Sequence, residues 1–506
     1  MRSALSSQDA NPYFALAGES LFMTSEPAAR GRETPGLSTG VLGTVDVVFM
    51  VMAAAAPMAV VVALMPLAFA FGNGAGIPGT YAGAIAAMVL FAIGYVRIIP
   101  YVRNAGAFYA YIAASAGKTA GLAAAYVAAF CYFALSTSTL TTLAFFSEQF
   151  FVHVTGHHAR WDYLAYIAIA IIAYLAHHRI TLAATVLGIA LAAEVVIILL
   201  LDGAILYHGG LRSFAVTDFA PATILTPGLG IGAIYAFDSM IGVEGTAIYQ
   251  EEARNTRVTI PRATYISIVL VGLFYILTAW CLSSSVGSTH VASVAKADPG
   301  TFIINRASEH LGRWGAEAIS VLVLTSSLAA ALALFNNAAR YLYALARDGV
   351  LPARLATTHP RHRSPHVASG ILVVAMAAVV AISAMAGLDP LVNVSTALVG
   401  LGSVGLMTLL AATSLAIPAF FARRGNFGPG TTFAPLIGGL VIAVAVVLAF
   451  ANYPMLTGVD SAVINHLPYL LIVLAICGAC QAQWIKRHRP RVFARIATTR
   501  VEDRAD

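Results

Sequence analysis

The sequence predicts an all-α integral membrane protein of twelve transmembrane helices, and three observations carry that reading. Hydrophobic residues make up 59% of the 506 and charged residues only 10%, at a mean hydropathy of +0.81, which leaves too little polar surface for a soluble globule. The apolar residues fall into successive runs of about 20, enough at about 1.5 Å per residue to cross about 30 Å of hydrocarbon. Two of these runs, the first and the sixth, carry helix-interrupting residues at mid-depth. Lipid tolerates such a break only where the freed backbone faces protein or an internal space.

In order, the runs are 45–71, 80–101, 120–152, 161–176, 181–207, 228–250, 262–284, 314–346, 367–386, 391–421, 433–451 and 466–485. The first contains MAAAAPMAVVVALMP, Met52 to Pro66. Pro57 there removes a backbone donor and clashes with the preceding turn, so the helix is expected to open over Ala54, Ala55, Ala56, Pro57 and Met58. The third carries LSTSTLTT, Leu135 to Thr142, and the eighth LTSSL, Leu324 to Leu328; these hydroxyls either bond across helices or return to the carbonyl one turn back. The fourth run is short, and the third and tenth are long. The fifth holds an acid, Glu194, near its middle. The sixth reads LGIGAIYAFDSMIGVEG and is broken by Asp238, Ser239, Gly242, Glu244 and Gly245, with the opening expected over Ser239, Met240, Ile241 and Gly242 and Phe237 beside it.

An even number of crossings places both termini on one side. Only Arg160, Arg212, Lys296, Arg306 and Arg313 fall in the loops of the other side, leaving 24 of the 29 Lys and Arg with the termini. By the positive-inside rule both ends are cytoplasmic. The net charge of +6 is therefore a topology signal and not a nucleic-acid footprint. Residues 1–40 form a polar N-terminal tail without the apolar core of a signal peptide. Residues 486–506 form a basic tail suited to anionic headgroups, so membrane lipids are expected partners. One membrane domain, 41–485, lies between them.

Cys131, Cys281, Cys477 and Cys480 all lie in apolar runs, which reads as packing rather than redox or zinc chemistry. The pairs His157–His158 and His177–His178 sit at helix ends, where adjacent side chains diverge. No metal site and no cofactor is expected. Intramembrane catalytic strings such as HExxH or GxSxG do not occur, and the loops are too short to hold a soluble output domain, so neither an enzyme nor a sensor is indicated.

Three stretches carry a resemblance: IPYVRNAGAFYAYI (Ile99–Ile112), FDSMIGVEGTAIYQEEARNTRVTIPRATYI (Phe237–Ile266) and FNNAARYLYALARDGVLP (Phe335–Pro352). Together with twelve runs and cytoplasmic ends, the chain resembles the amino acid permeases of the amino acid-polyamine-organocation superfamily. The resemblance implies a core of two inverted five-helix repeats, about 45–207 and 228–421, with helices one and six broken and helices eleven and twelve (433–485) peripheral. It also implies a secondary carrier in the cytoplasmic membrane that moves an amino acid by alternating access. The site implied is the pair of breaks, whose free amides suit a carboxylate and whose free carbonyls suit an ammonium.

This sequence departs from the family at the first break, where AAAAP stands in place of a glycine-rich turn; alanine's β-carbon limits how closely a ligand approaches the backbone. Glu244 matches a family position that is commonly Glu, where it either braces the opening or exchanges a proton. Glu194 stands where some relatives carry a lysine; it either takes a coupling proton or pairs with a polar group on helix one or eight. Asp238 is unusual for the family. Facing a cavity it would bias the site toward amines; facing its helix neighbours it would be a buried, hydrogen-bonded acid. The block YQEEARNTRVTIPR resembles part of an inner closure, its exposed ion pairs contributing at most about 1 kcal/mol each. The intramembrane acids favour proton symport, and amine or polyamine transport and amino acid exchange are the alternatives.

Overall fold

In a computed structural model, the chain is described over residues 42–102, 108–178, 184–210, 213–246, 253–359, 364–457 and 461–497. The N-terminal tail 1–40, Gln250, Glu251 and Glu252 of the inner block, and the last part of the basic tail lie outside the described residues. What is described is helical apart from short connections and one isolated bridge, Leu42 with Ala253. That bridge joins the start of the first segment to the connection after the sixth, and the Arg254 N–H donates to the Leu42 carbonyl at 2.9 Å.

Among the described residues, ten helices are long and apolar enough to cross a membrane: Thr44–Phe71, Gly74–Tyr101, Lys118–Thr155, Gly188–Gly209, Thr256–Val286, Arg313–Arg347, His366–Met385, Pro390–Ala422, Pro429–Leu456 and Tyr469–His488. This is a multi-pass membrane protein. The sequence-predicted fourth and sixth runs fall outside the ten for different reasons. The fourth is an unbroken helix, Trp161–His178, but Asp162 and the two terminal histidines dilute its hydropathy. The sixth is α-helical only over Leu229–Asp238, because the chain turns at Ser239–Gly242. The turn falls at the opening expected from the sequence, Ser239 to Gly242.

The third segment, Lys118–Thr155, is the central post. It packs along the eighth, tenth and twelfth and against the short helix Phe108–Ala116. Small residues permit this closeness, as they do between membrane helices generally. A β-carbon at Gly405 of the tenth segment would run into the Cys131 sulfur of the third. The second segment packs on the seventh and eleventh, the fifth on the seventh and eighth, and the fourth on the third and ninth. Cys131 and Cys281 are buried in these seams, while Cys477 and Cys480 of the twelfth segment are exposed. Exposed Val, Leu and Ile line the outer faces, for example Val374, Val444 and Val447, as a lipid-facing surface requires.

Candidate functional site

The first segment is not one helix. Thr44–Ala55 ends at Ala56, which takes a left-handed conformation (φ 45°, ψ 66°), and the chain resumes at Pro57 with a π-helical stretch over Val60–Leu64 before Met65–Phe71. Left-handed alanine costs roughly 1–2 kcal/mol, and it persists because Pro57 supplies no N–H and cannot continue the preceding turn. Ala55 closes the first half-helix, and Ala55, Ala56, Pro57 and Met58 are all buried; the side chain of Ala54 lies outside what is described. The break leaves backbone groups without helical partners, and other segments meet them. The Met58 N–H donates to Glu194 Oε2 at 3.3 Å, and that oxygen also accepts from Ser326 Oγ of the eighth segment at 2.8 Å. The Tyr275 hydroxyl, from the seventh, donates to the Ala55 carbonyl at 3.4 Å.

The sixth segment opens directly after Asp238, over Ser239–Gly242. Gly242 has φ 110°, a conformation that favours glycine, and its N–H donates to Glu244 Oε2 at 2.8 Å. Glu244 is 3% exposed. Its Oε1 accepts from the Tyr132 hydroxyl at 3.0 Å, and its backbone carbonyl accepts from the Tyr95 hydroxyl at 2.7 Å. Tyr132 in turn stacks on Tyr341 of the eighth segment. Ser239 is tied to Tyr81 of the second segment at 3.0 Å and to its own helix through the Tyr235 carbonyl.

Between the breaks lies a cavity of about 60 Å³, room for roughly four waters. Its wall includes Ala55 and Ala56 of the first break, Asp238 and Ile241 of the second, Ser138, Thr139 and Thr142 of the third segment, and Val399 of the tenth. Asp238 therefore faces the cavity, and one of its oxygens also accepts from Ser403 of the tenth segment. The hydroxyls are engaged: Ser138 and Thr142 bond Ser395 at 2.9 and 2.8 Å, and Thr139 returns to the Leu135 carbonyl at 3.0 Å. Of the predicted site residues, Ala55, Ala56, Asp238 and Ile241 line the cavity. Pro57, Met58, Phe237, Ser239, Met240, Gly242, Glu244 and Glu194 stand behind that wall as its frame.

Sequence reasoning did not pick out Tyr95, Tyr275, Ser395 or Ser403. Nothing in the local pattern marks a tyrosine or serine that reaches a carbonyl or an acid in another segment. Among the described residues no group of three or more His, Cys, Asp or Glu is arranged to hold a metal ion.

Two interrupted segments, joined across a small cavity inside a multi-pass helical bundle, define a membrane protein of the broken-helix class. The model of the amino acid permease family matches residues 42–477, and the chain belongs to that family, within the amino acid-polyamine-organocation superfamily. Among curated proteins it is similar to a branched-chain amino acid permease of Bacillus subtilis, 22% identical over 33% of this chain and 36% of the relative. It is also similar to the mitochondrial cationic amino acid transporter 3 of Arabidopsis thaliana, 26% identical over 39% of this chain and 29% of the relative. A low-affinity putrescine importer of Escherichia coli is 22% identical over 61% of this chain and 67% of the importer. The matches span about a third of the length of the first two relatives.

Proposed function

We propose that the protein is a secondary carrier of the cytoplasmic membrane that moves a small amino acid or amine by alternating access, with both termini in the cytoplasm and twelve crossings built on a five-plus-five inverted repeat. The observation that carries this reading is the cavity shared by both breaks, with the Asp238 carboxylate on its wall. Broken-helix carriers hold their solute at such a place and expose it to either side by rocking one bundle against the other. In this reading segments one, two, six and seven move against three, four, eight and nine.

Proton symport fits the placement of Glu194. Its carboxylate joins the first break to the fifth and eighth segments through two donors. Bonds to a charged acceptor are roughly twice as strong as bonds to a neutral one, so a proton on Glu194 loosens the joint between segments that must move. Glu244 has the same chemistry but caps its own segment. The relatives named as carriers of branched-chain amino acids, cationic amino acids and putrescine support a solute that carries an amine.

The test is reconstitution of the full chain in liposomes with leucine, arginine, glutamate and putrescine as probes. Solute-dependent proton flux is expected, reduced about tenfold or more in Glu194→Gln or Glu244→Gln, because the glutamine amide keeps an acceptor oxygen but has no carboxyl to take up and release a proton. Uptake with unchanged proton flux in both variants would leave the carrier standing and remove the proton from its cycle.

A further inference from the structure

Each break frees amide groups that suit an anion, yet this chain already fills those seats with carboxylates of its own. At the first break the Met58 N–H is held by Glu194, reaching in from the fifth segment, 5% exposed and fixed by Ser326. At the second, the Gly242 N–H is held by Glu244. The neighbouring amides of Ser239, Met240, Ile241, Val243 and Gly245 donate to backbone carbonyls. On the cavity side the first break presents Ala55 and Ala56 rather than glycine, and a β-carbon limits how closely a ligand approaches the backbone.

The cavity wall repeats the message. Among the described residues no Lys, Arg or His lines it, its serine and threonine hydroxyls are bonded within the protein, and its other side chains are hydrocarbon apart from Asp238. A solute carboxylate entering here would meet a like charge at low dielectric and find no cation to offset it. An ammonium would meet Asp238, and an alkyl or aryl body would meet alanine, leucine and valine.

We infer that the solute is a primary amine without an α-carboxylate, its ammonium paired with Asp238 while Glu194 and Glu244 stand in for the carboxylate an amino acid would bring. This deepens the carrier reading and rests on it. The experiment compares matched pairs in liposomes bearing the full chain: leucine with 3-methylbutylamine, phenylalanine with phenethylamine, and ornithine with putrescine. At least one amine should be taken up about tenfold or more faster than its amino acid, and that ratio should fall about tenfold in Glu194→Ala, which frees the Met58 N–H. Glu194→Gln keeps an acceptor oxygen at Met58 and should keep the preference for the amine. It also serves where the alanine variant does not fold. Amino acids carried as well as or better than their amines, or a ratio unmoved in Glu194→Ala, overturns the assignment and leaves the carrier in place. Uptake of neither member of any pair overturns both.

Discussion

The two breaks solve one problem in opposite ways. At Ala56 the interrupted backbone is completed from elsewhere: Glu194 lies 136 residues away and brings Ser326 with it, and Tyr275 comes from the seventh segment. At Gly242 the completing acid, Glu244, is two residues along the same chain. Local closure survives movement of the neighbours, whereas closure by three segments holds only while those segments keep their places. The first break is thus the joint whose integrity reports the arrangement of the bundle, and the second is a preformed fixture. Acids also cross the bundle in a paired fashion: the fifth segment supplies Glu194 to the first, and the sixth supplies Asp238 to Ser403 of the tenth.

The sharpest way to break this contrast is at Asp238, the one acid of the second break that faces the cavity. Asp238→Asn keeps an acceptor for Ser403 and should fold, but a buried charge partner for an ammonium is worth about 2–5 kcal/mol. Uptake of the preferred amine should fall about 100-fold, while thermal stability stays near that of the parent. Undiminished uptake would move the solute contact to the first break and reverse the roles assigned above.

A pair of backbone substitutions probes the fixtures directly. Gly242→Ala forces a β-carbon onto a residue at φ 110° and should lower the melting temperature by about 2–4 °C, as strain of roughly 1–3 kcal/mol would. Ala56→Gly removes the β-carbon at a left-handed residue, although glycine also gains freedom in the unfolded chain. A smaller rise of about 1–2 °C is expected. Equal and same-signed shifts, read by thermal denaturation in detergent, would mean that the two breaks are not held as differently as their contacts indicate.

These two positions also mark how far the letters could be read. Membrane-length runs were legible because hydrocarbon leaves no other use for twenty apolar residues. Gly242 stood out within such a run, and Pro57 located the first opening, yet alanine has no signature of a left-handed turn and Ala56 looked like its neighbours. Glu194 was visible as a costly charge, with segments one and eight as rival partners; the structure gives it both, on a single oxygen. Side-chain partners across the bundle stayed hidden, since Ser403 and Ser395 are ordinary residues of a helix until the tenth segment is packed against the sixth and third. The shortfall at the fourth segment has a composition cause, Asp162 and the terminal histidines, and the shortfall at the sixth is the break itself.

The smallest effect is expected from a buried acid that completes no break. Asp218 lies in the connection between the fifth and sixth segments, 1% exposed, with Oδ2 accepting from Ser283 at 2.8 Å and Oδ1 without a hydrogen-bond partner. Burial raises its pKa, against the opposing bonds from Ser288 and Ser283. The folded state therefore keeps this proton to higher pH than the unfolded chain does. Its contribution to stability is fully present below the ordinary aspartate range and is lost as pH rises through the folded value. Asp218→Asn removes the charge and offers an amide in its place, so the variant should match the parent near pH 4 and melt about 1 °C higher near pH 7. Glu194 and Glu244 each hold the backbone N–H of a break, which Asp218 does not, and if Asp218→Asn behaved like Glu194→Gln in proton flux, burial alone rather than capping of a break would be what makes an acid matter here.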